Sequence, residues 1–145
     1  MVKVLLYNRT NSVVPSKQFF VKHLKDFLEK LKEKRKIEIS LLFVSPSVIR
    51  RLNRQWRGKD KVTTVLSFPV SRIFQQIEEQ EGIKELGEII FCPSEIKKKS
   101  VREKSNVREI YKKLLAHSLL HLYGYSHNKD KERLEMEKLE KKLLS

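Results

Sequence analysis

Apolar residues follow two different spacings along this chain, and the changes from one to the other predict strands interleaved with helices. Val2 to Tyr7 form a short apolar run that reads as a strand, and the turn-rich Asn8 to Pro15 break it before a helix. That helix is expected to begin near Ser16 and reach about Lys34. Within it Phe20, Leu24, Phe27, Leu28 and Leu31 recur every three or four residues, a single stripe to bury, with lysines and glutamates opposite. His23 lies beside the stripe and reads as a packing residue. Residues 37–44, IEISLLFV, switch to a period of two, with Ile37, Ile39, Leu41 and Phe43 on one face of a second strand. Ser45 and Pro46 then suit an N-cap and a first helical position, so a helix is expected as far as Trp56 or Gly58.

Positions 63–70, TTVLSFPV, predict a third strand closed by Pro69, and 86–91, LGEIIF, predict a fourth. The polar stretch between them, 71–85, has no clear period, and a hairpin excursion or a mobile loop is expected there rather than a linker between domains. From Pro93 the chain turns helical, with a basic run Lys97 to Lys99, and another helix follows from about Asn106 to Tyr123. A final helix over 130–144 sets Met136, Leu139 and Leu143 in its buried row. No internal repeat is visible. The 145 residues are read as one domain, 1–145, long enough to bury a core without disulfides.

Hydrophobic residues make up 39% of the chain and charged residues 34%, the balance of a soluble globular protein with a heavily charged surface. The formal net charge of +14 adds what the pattern does not show, an electrostatic field that draws polyanions, nucleic acid first among them. Charge names a partner class only, because ribosomal proteins, ribosome-associated factors, nucleases and proteins that touch anionic membranes all share it. Cys92 is the single cysteine, so no intrachain disulfide can form, and a small buried residue in a reducing compartment is the expected reading. The N-terminal MVKVLLYNRT is too short an apolar run for a signal peptide, and no later segment approaches the length of a membrane span. A cytoplasmic protein is expected, with no membrane association.

The chemistry is concentrated in HSLLHLYGYSH, residues 117–127, which holds three of the four histidines. His117 and His121 are four apart, one helical turn, and are offset by about 40° on the same face, so both imidazoles can reach one ion. Ile110 and Leu114 lie on the same row, and a single histidine continuing such a row would read as a satisfied core residue. Two at this spacing reverse that reading. Gly124 supplies a position where positive φ costs little, so the chain can leave the helix and bring His127 back as a third ligand. The spacing His-x3-His-x2-Gly-x2-His is that of the long zinc motif of metzincin proteases, far more specific than an isolated pair. Zinc suits neutral imidazoles, and three protein ligands leave a fourth position open for chemistry; nickel and copper also suit these residue types. One zinc ion per chain is expected. A closed structural site would need one more ligand, for which Cys92 is the candidate.

In the proteases the residue after the first histidine is the glutamate that serves as general base, and here it is Ser118. A serine cannot take that proton at neutral pH unaided, so peptide hydrolysis lacks its central group. Cleavage of a phosphodiester asks instead for a cation beside the phosphoryl oxygens, and arginine suits it best, with a planar fork that bonds two oxygens at once. The stretch RQWRGKDKVTTVLSFP offers one.

These two segments resemble the YbeY family of bacterial endoribonucleases, and the resemblance covers nearly the whole chain. HSLLHLYGYSH is similar to the family's His-Gly-x-Leu-His-Leu-x-Gly-Tyr-Asp-His. NRQWRGKDKVTTVLSFP followed by LGEII is similar to its Asn-x3-Arg-Gly-x-Asp-x-Pro-Thr-Asp-Val-Leu-Ser-Phe-Pro and Leu-Gly-Asp-Ile. The resemblance implies a zincin-like α+β domain, with about four strands in a mixed sheet packed with helices and the metal site on a helix and the turn after it. It also implies endoribonuclease action on single-stranded RNA, maturation of ribosomal RNA at the 3′ end of the small-subunit RNA, work in ribosome quality control, and the small ribosomal subunit as partner. It carries the metal ligands onto His117, His121 and His127, and the functional arginine onto Arg57.

The chain departs from the family pattern at Ser118 for glycine, Ser126 for aspartate, Val62 for proline and Thr64 for aspartate. Without a carboxylate at 126, a ligand histidine loses one charged hydrogen-bond partner, and weaker metal affinity is expected. VLSFP reads first as a buried strand, with Ser67 able to line the cleft, and Asn53 and Asp60 read as helix-end residues or as groups orienting Arg57. The general base stays open among the metal's water, the substrate 2′-OH and a carboxylate such as Glu88 or Asp60. Two other functions compete: a metal-dependent hydrolase of a peptide or small ester, and a ribosome-binding module whose zinc is structural. Oligomeric state is not legible.

Overall fold

In the computed structural model, which describes residues 1–70 and 82–145, strand β1 (Val2–Asn8) leads through helix α1 (Lys17–Lys30) to β2 (Lys36–Phe43). Helix α2 (Pro46–Arg57), strands β3 (Val65–Pro69) and β4 (Ile83–Phe91), and helices α3 (Pro93–Glu103), α4 (Val107–Leu122) and α5 (Asp130–Leu144) follow. The expected connector 71–85 falls mostly outside the described residues. Its last part departs from expectation, because β4 begins at Ile83, three residues before the predicted start.

Local chemistry accounts for the helix boundaries. The Ser16 side chain accepts from Phe19 N at 3.2 Å and opens α1. That helix stops at Lys30, short of the expected Lys34, because Lys32 takes a left-handed φ of 59° and the Lys32 and Glu33 amides turn back onto the Glu29 and Leu28 carbonyls. Ser45 caps α2 as expected, and Gly58, at φ 70°, ends it. Asn106 accepts from Arg108 N at 2.8 Å and starts the helix that carries the histidine pair.

The sheet has four strands in the order β1-β2-β4-β3, with β1, β2 and β4 parallel and β3 antiparallel on the edge. Sheet and helices together make the mixed α+β architecture expected. The two sheet faces bury different things. Ile37, Ile39, Leu41 and Phe43 project to the face covered by α1 and α4, where Phe20, Leu24, Phe27, Tyr111, Leu115 and Leu119 join them in the main core. On the other face a smaller cluster of Val44, Ile49, Leu66, Ile90 and Cys92 lies under α2.

Between Glu38 and Ile39 the β2–β4 register slips by one residue on β4, leaving Leu86 as the extra residue. The slip lets Leu86 and Ile89 face one core although they are an odd number of residues apart. Gly87, beside the bulge, has φ 135°, and a Cβ there would lie 2.1 Å from the Phe68 carbonyl oxygen. Only glycine lets β3 approach this closely, and β3 carries the residues that face Arg57.

Candidate metal centre and its arginine wall

Helix α4 packs between the sheet and α5, and its buried face is mostly leucine and alanine. His117 and His121 continue the helix where that face reaches the surface, so both are half-buried. Just beyond, Tyr123, Gly124 and Tyr125 return their amides to carbonyls of the last helical turn, with Gly124 at φ 97°, and the chain reverses as the sequence predicts. The reversal brings His127 beside the pair, its ring stacked on His117 with centroids 4.7 Å apart. One ligand-capable atom from each of the three histidines falls within 4.8 Å of the others.

The hydrogen bonds around the rings decide what they can bind. His117 Nδ1 lies 2.5 Å from Glu140 Oε1 on α5, and His121 Nδ1 lies 3.0 Å from the Tyr125 carbonyl oxygen. A carboxylate and a carbonyl only accept, so each Nδ1 carries the proton and each Nε2 presents a lone pair. Those two Nε2 atoms face each other at 2.9 Å. Two lone pairs at that distance repel unless a proton or a metal ion lies between them, and with His127 as a third nitrogen beside the pair the donor set fits a metal ion. Burial is the largest influence on His121 and, with the neighbouring His117 and His127, lowers its pKa to about 4, so it stays neutral as a ligand must.

Arg57 ends α2 on the other side. Its Nη2 donates to the Ser67 carbonyl at 2.8 Å, and its guanidinium lies over the Phe68 ring, 5.8 Å from the centroid. It is near enough that its charge helps hold His121 neutral. Arg57 is exposed, so N–H donors beyond the one on Ser67 remain for an anion. The structure thus brings Arg57 toward the histidines although some sixty residues separate them in the chain. A groove of about 350 Å³ also opens along His117 and Glu140, with Lys99 and Lys113 among its lining residues.

Other residues singled out from sequence fall elsewhere. Cys92, the candidate fourth ligand, is buried in the small cluster under α2 and contacts Ser94; it is not part of the histidine group. Asn53 is buried, and its amide donates to the Lys61 carbonyl at 3.0 Å, which ties down the loop after α2. Asp60 is occupied by Arg50 at 2.8 Å, and that hydrogen bond holds its carboxyl below the usual range. Ser118 is buried, and the Ser126 hydroxyl accepts from Asn128 N at 3.0 Å inside the turn. Glu140 was not singled out. It stands in a Lys/Glu-rich helix whose charge pattern reads as a solvated face, and only the packing of α5 on α4 reveals its contact with His117.

A profile of the family described as Endoribonuclease YbeY matches residues 6–145. A protein named Endoribonuclease YbeY from Agrobacterium fabrum is 35% identical over 126 residues, which cover 83% of this chain and 72% of that protein. One of the same name from Thermoanaerobacter pseudethanolicus is 31% identical over an alignment of 153 positions, covering 99% and 96% of the two chains. The solution structure of TM1509 from Thermotoga maritima aligns with a TM-score of 0.57 at 22% identity, over 97% of this chain and 89% of that one, a likeness of fold. With the family profile spanning nearly its whole length and relatives above 30% identity matching it along most of theirs, the chain belongs to the endoribonuclease YbeY family.

Proposed function

We propose that this member of the endoribonuclease YbeY family cuts single-stranded RNA at the three-histidine centre, with one zinc ion per chain held by His117, His121 and His127. Arg57 meets the phosphate in this reading. The observation that carries it is the pair of Nε2 atoms facing each other at 2.9 Å, each imidazole fixed by an acceptor on its Nδ1. Substrates follow from the family resemblance: ribosomal RNA, at the 3′ end of the small-subunit RNA, in a cytoplasmic protein that also serves ribosome quality control.

When bound, zinc supplies Lewis acidity toward a phosphoryl oxygen. Everything else comes from the chain. Glu140 and the Tyr125 carbonyl hold the two helix histidines in the tautomer that binds, so little reorganisation accompanies loading. Arg57, braced on Ser67, presents a fixed charge where negative charge develops on the phosphate, and such preorganised donors are worth about a hundredfold to a thousandfold in rate. Lys99 and Lys113 give the strand counter-charge beside His117. Asp60 is engaged by Arg50.

The test pairs a cleavage assay with a melt. Purified protein should cut a labelled single-stranded RNA, a chelator should stop it, and added zinc should restore it. The chelated protein should remain folded, because Cys92 is packed away from the histidines and the core stands without the ion. Unfolding on chelation would favour the structural-zinc reading. Uncut RNA beside hydrolysed casein or ester would replace the nuclease with another hydrolase.

A further inference from the structure

We propose that Trp56 and Phe68 form a stacking platform for an unpaired base of the bound strand, one step from the phosphate held by Arg57; this rests on the RNA-cleaving reading above. Trp56 is the only tryptophan of the chain, and 63% of its surface is exposed. Tryptophan left in water forfeits much of the stabilisation its burial would bring, so an indole held out beside a candidate active site points to a partner. The ring is nevertheless positioned. Trp56 lies in the last turn of α2 and meets Phe68 of β3 in a T-shaped contact, centroids 6.5 Å apart and planes at 71°. Gly87 permits the close approach of β4 to the Phe68 backbone that fixes the other half of the pair.

Among the described residues the charge around the pair is mostly positive, with Glu88, the cross-strand partner of Phe68, as an acidic neighbour. Helix α2 carries Arg50, Arg51, Arg54 and Arg57 and no acidic residue, Lys59 and Lys61 follow it, and the intervening Asp60 is taken up by Arg50. Arg57 lies over the face of Phe68, so the cation whose charge reaches His121 adjoins two aromatic rings. Cations alone bind single strands and duplexes alike, since both present phosphates. An aromatic face adds affinity only where a base is free to leave its stack. The platform thus supplies selectivity for single strands, which the histidines and lysines cannot.

Trp56 being the only tryptophan, its emission reports this contact alone. The probe is a short 2′-O-methyl oligoribonucleotide of mixed sequence, as a single strand and as a duplex, which keeps bases and phosphates and removes the 2′-hydroxyl. Anisotropy of a labelled strand gives total affinity. The single strand should quench Trp56 and the duplex should leave it nearly unchanged. Trp56→Ala should weaken single-strand binding on the order of tenfold, the loss of one stacked base, with duplex binding little altered, and Trp56→Phe should retain most of the affinity. Bound single strand with unchanged emission and no effect of Trp56→Ala would overturn the platform and leave RNA binding intact, pointing instead to a protein partner at the indole. Equal losses for strand and duplex would also overturn it. If neither probe binds, the RNA reading fails and the platform with it.

Discussion

The two sides of the candidate site are built differently. The histidine side stands on the main core: α4 is buried between the sheet and α5, each helix histidine has its Nδ1 occupied, the rings are half-buried, and His121 is held neutral. The arginine side stands on the small cluster under α2, on an edge strand, with Trp56 and Arg57 exposed and a surplus of positive charge. One side is arranged to hold an ion in a fixed geometry, for which burial and neutral ligands are needed. The other is arranged to meet a large anion arriving from solvent, for which exposure and net charge are needed. Damage to the two sides should therefore separate in measurement.

The largest effects test that separation directly. His121→Ala should abolish both zinc uptake and RNA cleavage, because two remaining imidazoles no longer define the site. Arg57→Ala should leave zinc content at one ion per chain and lower the cleavage rate by about a hundredfold to a thousandfold. Zinc lost from Arg57→Ala, or cleavage retained by His121→Ala, would show that the sides are not separate.

A smaller effect is expected at Glu140. Removing its carboxylate as Glu140→Ala leaves the His117 Nδ1 proton without its acceptor and should weaken zinc binding by roughly 10–100-fold, read by competition with a chelating dye. Glu140→Gln keeps an accepting oxygen and should fall in between. RNA binding by the zinc-free proteins should not weaken in either variant, since Glu140 lines the groove of Lys99 and Lys113, where its negative charge opposes a phosphate.

Much of this was legible in the sequence because it is local. The histidine spacing is set by the helical repeat, and Ser45, Asn106 and Gly124 announce the chain reversals and caps by their own chemistry. The residues that complete the site are non-local. Glu140 sits in a helix rich in lysine and glutamate, and its partner lies twenty-three positions earlier. Cys92 is the small buried residue expected of it, and the sheet sets it in the cluster under α2, apart from the histidines. The early end of α1 is not written in the local pattern either, because Lys32 adopts a left-handed conformation that nothing about a lysine predicts.

That early end supports the histidine side, and it leads to the smallest effect expected. Glu33, just past α1, accepts from the Tyr123 hydroxyl at 2.7 Å, and Tyr123 is the residue that closes α4. Arg35 grips the same carboxylate at 2.9 and 3.0 Å. Burial would raise the pKa of Glu33, whose side chain is only 8% exposed, but the hydrogen bonds from Arg35 and Tyr123 outweigh it and bring the value down to about 2. A carboxylate with a folded pKa below its unfolded value of 4.5 stabilises the fold above pH 4.5, and the contribution disappears as pH falls toward 2. Its size is on the order of 2–3 kcal/mol. In zinc-free protein His121 adds a loss at higher pH, between 6.5 and about 4, where the unfolded chain takes up a proton that the folded ring resists. Glu33→Gln should therefore lower the melting temperature at pH 7 and flatten the acid slope below pH 4.5, leaving the slope between 6.5 and 4.5 as it was. With zinc bound, the higher-pH slope should change and the lower one persist. An acid profile unchanged by Glu33→Gln would mean that the end of α4 is held by packing alone.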